Sequence, residues 1–88
     1  MKAYHVTCET GYIGIMACSC IKAYRLKNVY LFRDRADAEA YKVEFGKCRV
    51  LDIETDGKQI ERQWKPSYAK HGVIKLKENE VVRILCLK

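Results

Sequence analysis

Tyr4-His5-Val6-Thr7-Cys8, Val29-Tyr30-Leu31-Phe32 and Asp34-Arg35-Ala36-Asp37-Ala38-Glu39-Ala40-Tyr41 are the stretches whose reading decides the fold of this chain. Side chains alternate across a strand, so residues 3–8 put Tyr4, Val6 and Cys8 on one face and Ala3, His5 and Thr7 on the other. The first set reads as the core face. Residues 29–33 read as a second strand. The stretch after it reads as a helix, because Asp34 is a good N-cap and Asp37 and Glu39 favour the positive helix start. Gly46 supplies the stop, and Ala36, Ala40, Tyr41, Val43 and Phe45 make the helical stripe.

Working outward, Tyr12, Ile13, Ile15, Met16 and Cys20 fit a short helix between the first two strands, although Gly11 and Gly14 each cost it roughly 1 kcal/mol against Ala. Residues 22–28 read as a basic connector. Residues 48–53 read as a strand, and Asp56-Gly57 is a hairpin signal leading to another over residues 60–64, which Pro66 ends. After a loop over residues 67–71, residues 73–76 and 81–87 form a last pair of strands joined at Glu78-Asn79. The expected fold is one α+β domain over residues 1–88: a small mixed or antiparallel sheet of about six short strands with two helices.

The chain has 88 residues, near the lower end of what folds without a staple. Five cysteines are an odd number for a disulfide framework, and the expectation is buried reduced thiols. Cys18-Ser19-Cys20 lacks the two-residue gap of redox and zinc motifs, and two histidines make a four-ligand zinc set a poor fit, so no metal is expected. No apolar run reaches the length of a membrane span, and Met1-Lys2 leads directly into a strand, so the expectation is a soluble cytoplasmic protein with no membrane partner. Lys and Arg outnumber Asp and Glu by 17 to 11. The net charge of +6 favours anionic partners, although the interspersed signs also serve solubility.

The order of the opening stretches resembles the start of ADP-ribosyltransferase-like domains of the His-Tyr-Glu kind. The acidic, alanine-rich helix after Tyr30 is similar to that of small bacterial and phage members. The resemblance extends over Val50-Leu51-Asp52-Ile53 and, loosely, Gly72-Val73-Ile74 with residues 81–85. It implies an ADP-ribosyltransferase-like fold that binds NAD, as substrate, or a related nucleotide. His5 would donate to the ribose hydroxyls, Thr7 would support it, and Tyr30 would stack on the nicotinamide, an aromatic face being suited to a cationic ring.

The same resemblance calls for a glutamate that stabilises the oxocarbenium-like transition state as nicotinamide leaves. Gln59-Ile60-Glu61 matches the Gln-x-Glu wording of the arginine-specific transferases, which makes Glu61 the candidate catalytic residue. If the catalytic strand is instead the one beginning near Gly72, the equivalent position falls near His71, and the site binds nucleotide without that reaction. RNA 2′-phosphotransferases, which share the fold, use several arginines with a histidine, for which Arg25, Arg33 and Arg35 are available.

The alternative is a non-catalytic basic module. Tyr24 lies among Lys22, Arg25 and Lys27, and Trp64-Lys65 with Tyr68, Lys70 and Lys75 forms a second basic-aromatic group. Cations for phosphates and rings for bases are what nucleic-acid contact requires. A small basic α+β protein also suits a protein partner, as with phage-encoded inhibitors of host defence.

Overall fold

A computed structural model of the chain describes residues 1–24, 29–56 and 72–87. In chain order the elements are β1 (Lys2–Thr7), α1 (Glu9–Cys18), β2 (Cys20–Lys22), β3 (Tyr30–Phe32), α2 (Arg35–Glu44), β4 (Arg49–Thr55), β5 (Val73–Lys75) and β6 (Val81–Leu87). The strands form one sheet in the order β2-β6-β4-β1-β3-β5. Every neighbouring pair is antiparallel. The α+β class therefore holds, with an open antiparallel sheet and two helices among the described residues. Of the hairpin at Asp56-Gly57 only Asp56 is described, and the strand over residues 60–64 and the loop over residues 67–71 lie outside those residues.

Two expectations change. Residues 20–22, assigned to helix and connector, make the edge strand β2, whose partner is β6: Cys20 faces Arg83, Ile21 faces Val82 and Lys22 faces Val81. A three-residue strand leaves almost no periodic signal, so its pairing is a tertiary effect. Second, β1 is not half-buried. Ala3, His5 and Thr7 are as buried as Val6, whereas Tyr4 is half-buried and Cys8 is exposed. Sequence alternation predicts one wet face; β1 lies between β4 and β3 with protein on both faces.

Those two faces support two cores. Ala3, Leu31, Leu51, Ile53, Ile74 and Val82 come together with Ile15 of α1 and Ile21 of β2. This cluster draws on all six strands, so the sheet must curl to bring its edges together. The segment after β2 is tied to the β5–β6 turn by Ala23 N–H to the Glu80 carbonyl at 3.0 Å and Asn79 N–H to the Ala23 carbonyl at 2.8 Å. A β-bulge at Glu54/Thr55, where β4 shifts register against β6, adds local twist in the same sense. On the opposite face Val6, Tyr30, Phe32, Ala38 and Val73 pack under α2, flanked by Tyr4, Tyr41 and Val50.

The ends of α2 form as its sequence requires, but the expected stripe is corrected: Ala36, Ala40, Val43 and Phe45 are exposed, Tyr41 is half-buried, and the helix meets the sheet through Ala38. Asp34, in extended backbone, accepts the Ala36 N–H on Oδ1 at 2.8 Å. Past the end, Gly46 takes φ +62, the left-handed geometry that glycine adopts without steric cost. α1 starts earlier than apolar spacing implies, because the Cys8 thiol serves as its cap, accepting the Gly11 N–H at 3.4 Å. No helix among the described residues is long and apolar enough to cross a membrane.

Candidate functional site

A cavity of about 660 Å³ lies beside β1, within the size range of small-molecule sites. His5 and Thr7 of β1, Tyr30 of β3, Gly11 and Ile15 of α1, and Lys22 with Tyr24 after β2 all line it. The structure thus brings His5, Thr7, Tyr30, Lys22 and Tyr24 to one place. Glu61, His71, Arg25 and Lys27 lie outside the described residues. Arg33, Arg35 and Lys75 are described but do not line the cavity.

His5 and Tyr30 reach this cavity from opposite faces of the sheet. Tyr4 is registered against Phe32, which places Tyr30 opposite Val6 and not His5. The packing agrees: Tyr30 lies with Val6 and Phe32, its ring edge-on to Tyr41 with centroids 6.0 Å apart, while His5 shares its face with Leu51 in the curled core. The ring expected to stack on a nicotinamide held by His5 is a core aromatic of the α2 face. Val6, Phe32 and Tyr41 of that face also line the cavity.

His5 joins β1 to β3 through its ring. Its Nδ1 lies 2.9 Å from the Tyr30 carbonyl oxygen, and because a carbonyl only accepts, Nδ1 carries the proton. Burial holds its pKa below the ordinary 6.5, against the opposing pull of that carbonyl, so the ring is neutral at pH 7 and Nε2 keeps its lone pair. Thr7 is also buried. Its hydroxyl lies against Gly11: a Cβ on that glycine would sit 2.2 Å from Thr7 Oγ1, so the turn that leads from β1 into α1 has room only for glycine there.

Around these buried polar groups stand features that sequence reasoning missed. Cys8, Cys18, Cys20 and Lys47 join the lining. The expectation of buried thiols is corrected, because Cys8, Cys18, Cys48 and Cys86 are exposed and Cys20 is half-exposed. The Cys8 pKa is lowered chiefly by the Gly11 N–H, with Lys47 assisting through its charge. Sequence offers one signal for this: a small polarisable residue directly before an acidic helix start, at the N-cap position. Lys22 and Lys47 are exposed, and the Lys22 ammonium lies 5.3 Å from the centroid of the exposed Tyr24 ring. No described residue lining the cavity is a carboxylate.

The arrangement has an apolar wall, a neutral imidazole and a hydroxyl at depth, and two ammonium groups outside. Chemically it accepts hydrogen bonds, donates them from a hydroxyl, and attracts negative charge. Among the described residues no group of three His, Cys, Asp or Glu side chains is arranged to hold a metal ion. Compared with known proteins, the chain matches no family model, no curated protein and no solved structure.

Proposed function

We propose that this protein is a binding domain for a small anionic ligand with a flat apolar body, a nucleotide or related compound, held in the cavity beside β1. The observation that carries this reading is the combination, in about 660 Å³, of buried His5 and Thr7 with Lys22 and Lys47 at the rim. Phosphates would sit among the lysines and the ring against Ile15 and Ile21, with His5 Nε2 accepting from a ribose hydroxyl or exocyclic amine. NAD is the first ligand to try, because the ADP-ribosyltransferase-like resemblance implies it. The placement of Tyr30 on the other face and the acid-free lining favour binding over ADP-ribosyl transfer.

Isothermal titration with NAD, ADP-ribose and AMP tests this. Saturable binding is expected, weakened by His5→Ala and weakened about tenfold, or about 1.4 kcal/mol, by Lys22→Ala with Lys47→Ala together. Nicotinamide release is expected to be absent. Steeply salt-dependent binding to RNA or DNA with no affinity for any of the three ligands would replace this reading with an electrostatic one. The exposed Lys22–Tyr24 pair is the described feature that favours that second reading.

A further inference from the structure

α1 ends, and β2 begins, at Cys18-Ser19-Cys20. Ser19 takes φ 54 and ψ 36, a left-handed conformation uncommon for a residue with a Cβ. It is held there from both sides: its N–H donates to the Ile15 carbonyl at 2.8 Å, and its carbonyl accepts from the Ile84 N–H at 2.9 Å. The reversal turns both flanking cysteines the same way, so that the Cys18 and Cys20 sulfurs lie 2.7 Å apart. The Cys18 thiol also donates to the Cys20 carbonyl at 3.3 Å. Both sulfurs belong to residues lining the cavity, and Cys18 is exposed.

We propose that Cys18 and Cys20 are a redox site, a dithiol that closes to an intramolecular disulfide by exchange with a low-molecular-weight disulfide of the glutathione class. The inference does not depend on the ligand proposed for the cavity. Exchange needs an exposed thiolate and a second sulfur within reach. Cys18, the more exposed, attacks one sulfur of glutathione disulfide, forming a Cys18–glutathione mixed disulfide and releasing one glutathione thiolate. Cys20 then attacks the Cys18 sulfur, releasing the second. Protein sulfurs lose two electrons, glutathione disulfide gains them, and the two thiol protons pass through solvent to the released thiolates.

The local chemistry orders these steps. In the dithiol the Cys20 pKa is raised, chiefly by the hydrogen bond with Cys18 and then by burial, while the charge of Lys22 opposes the rise. Once Cys18 is in the mixed disulfide that thiol hydrogen bond is gone, and Cys20 ionises beside Lys22 to complete the exchange. Both steps use sulfurs that the Ser19 turn already brings within 2.7 Å of each other.

The test uses the full chain with Cys8, Cys48 and Cys86 changed to Ser, all exposed positions. The protein is equilibrated with reduced and oxidised glutathione at graded ratios, quenched by alkylation and mapped by peptide mass. The expected product is a Cys18–Cys20 peptide two hydrogens lighter, with no retained glutathione, and far-UV circular dichroism unchanged. Cys20→Ser should instead accumulate one glutathione on Cys18. Full alkylation of both sulfurs at every ratio would overturn the proposal, as would glutathione retained on Cys18 in the presence of Cys20. Loss of the far-UV signal on oxidation would overturn it too, because the turn would then not be prearranged.

Discussion

α1 and α2 have ten residues each and are seated on the same sheet by opposite means. α2 has a carboxylate cap, an acidic first turn, a lysine in its last turn and a completely buried Ala38, and it lies over β1, β3 and β4. Its Tyr41 packs on Phe32 with centroids 5.2 Å apart. α1 has a thiol cap, two glycines and no basic residue in its last turn; each helix buries one residue, Ile15 in α1 and Ala38 in α2, but α1 lacks the aromatic cluster that Tyr41 makes with Tyr30 and Phe32. Ile13 is 63% exposed and Met16 50% exposed. Apolar composition without a stripe gives α1 little to bury, so its position rests on a few specific contacts. One is the fork in which Arg49 Nη2 donates to Glu9 Oε1 at 2.9 Å and Nε donates to Oε2 at 3.0 Å, the guanidinium lying 4.1 Å from the Tyr12 ring centroid. The fold's anchor is α2, packed over three strands, and α1 is the more lightly held wall of the cavity. Regions with few buried apolar contacts open at lower free energy than the core.

The largest effect should come from the anchored side. Phe32→Ala removes a ring that is 1% exposed beneath α2 and should cost about 3–5 kcal/mol, read as the fall in urea midpoint. A domain this small has little more than that in reserve. If the loss were under about 1 kcal/mol, α2 would not be the anchor.

Next come the two glycines of α1, which should respond with opposite signs. Gly14→Ala places its methyl where nothing lies within 4 Å and should stabilise by about 1 kcal/mol through helix propensity. Gly11→Ala drives a methyl into the hydroxyl of buried, β-branched Thr7, and overpacking of roughly 1–3 kcal/mol outweighs the same propensity gain. Equal shifts in thermal midpoint for the two variants would remove the close approach of α1 to β1 from the account.

His5 gives a pH-dependent effect. Its folded pKa lies below the unfolded value of 6.5, so the unfolded chain takes up a proton that the folded chain refuses. The stability is fully present above about pH 6.5 and drains as pH falls toward the folded pKa, at up to about 1.4 kcal/mol per pH unit. Urea midpoints at pH 7.5 and 5.5 should differ in the wild type and converge in His5→Gln. The smallest effect is Arg49→Lys, which keeps the charge but breaks the fork; hydrogen exchange should quicken in α1 and stay unchanged in α2.

What could be read in the sequence follows the same division. β1, β3, β4 and β6 announce themselves by their strand-forming residues, and α2 by its cap at Asp34 and its stop at Gly46, but not by its stripe, because Ala38 is the buried position. The start of α1 did not, since a cysteine seldom serves as an N-cap, and β2 did not, since three residues acquire strand character only from β6. At the site, the shared face of His5 and Thr7 is legible from alternation alone. That Tyr30 lines the same cavity from the other face was not legible, because the face a residue takes depends on register between strands: pairing Tyr4 with Phe32 sends Tyr30 to the side of Val6. The proximity of Cys18 and Cys20 sulfurs depends on the left-handed Ser19, which no propensity would assign to serine.

The two ends of the sheet bear on how this chain behaves in a crowded solution. Among the described residues its outermost strands, β2 and β5, are three residues long, and each carries an exposed lysine, Lys22 and Lys75. Unpaired strand borders are templates for neighbouring chains, and short borders bearing a positive charge are poor ones. In a protein of which 49% of residues are hydrophobic, with Leu85 and Val81 exposed on β6, the described edges thereby present little backbone on which a second copy could extend the sheet.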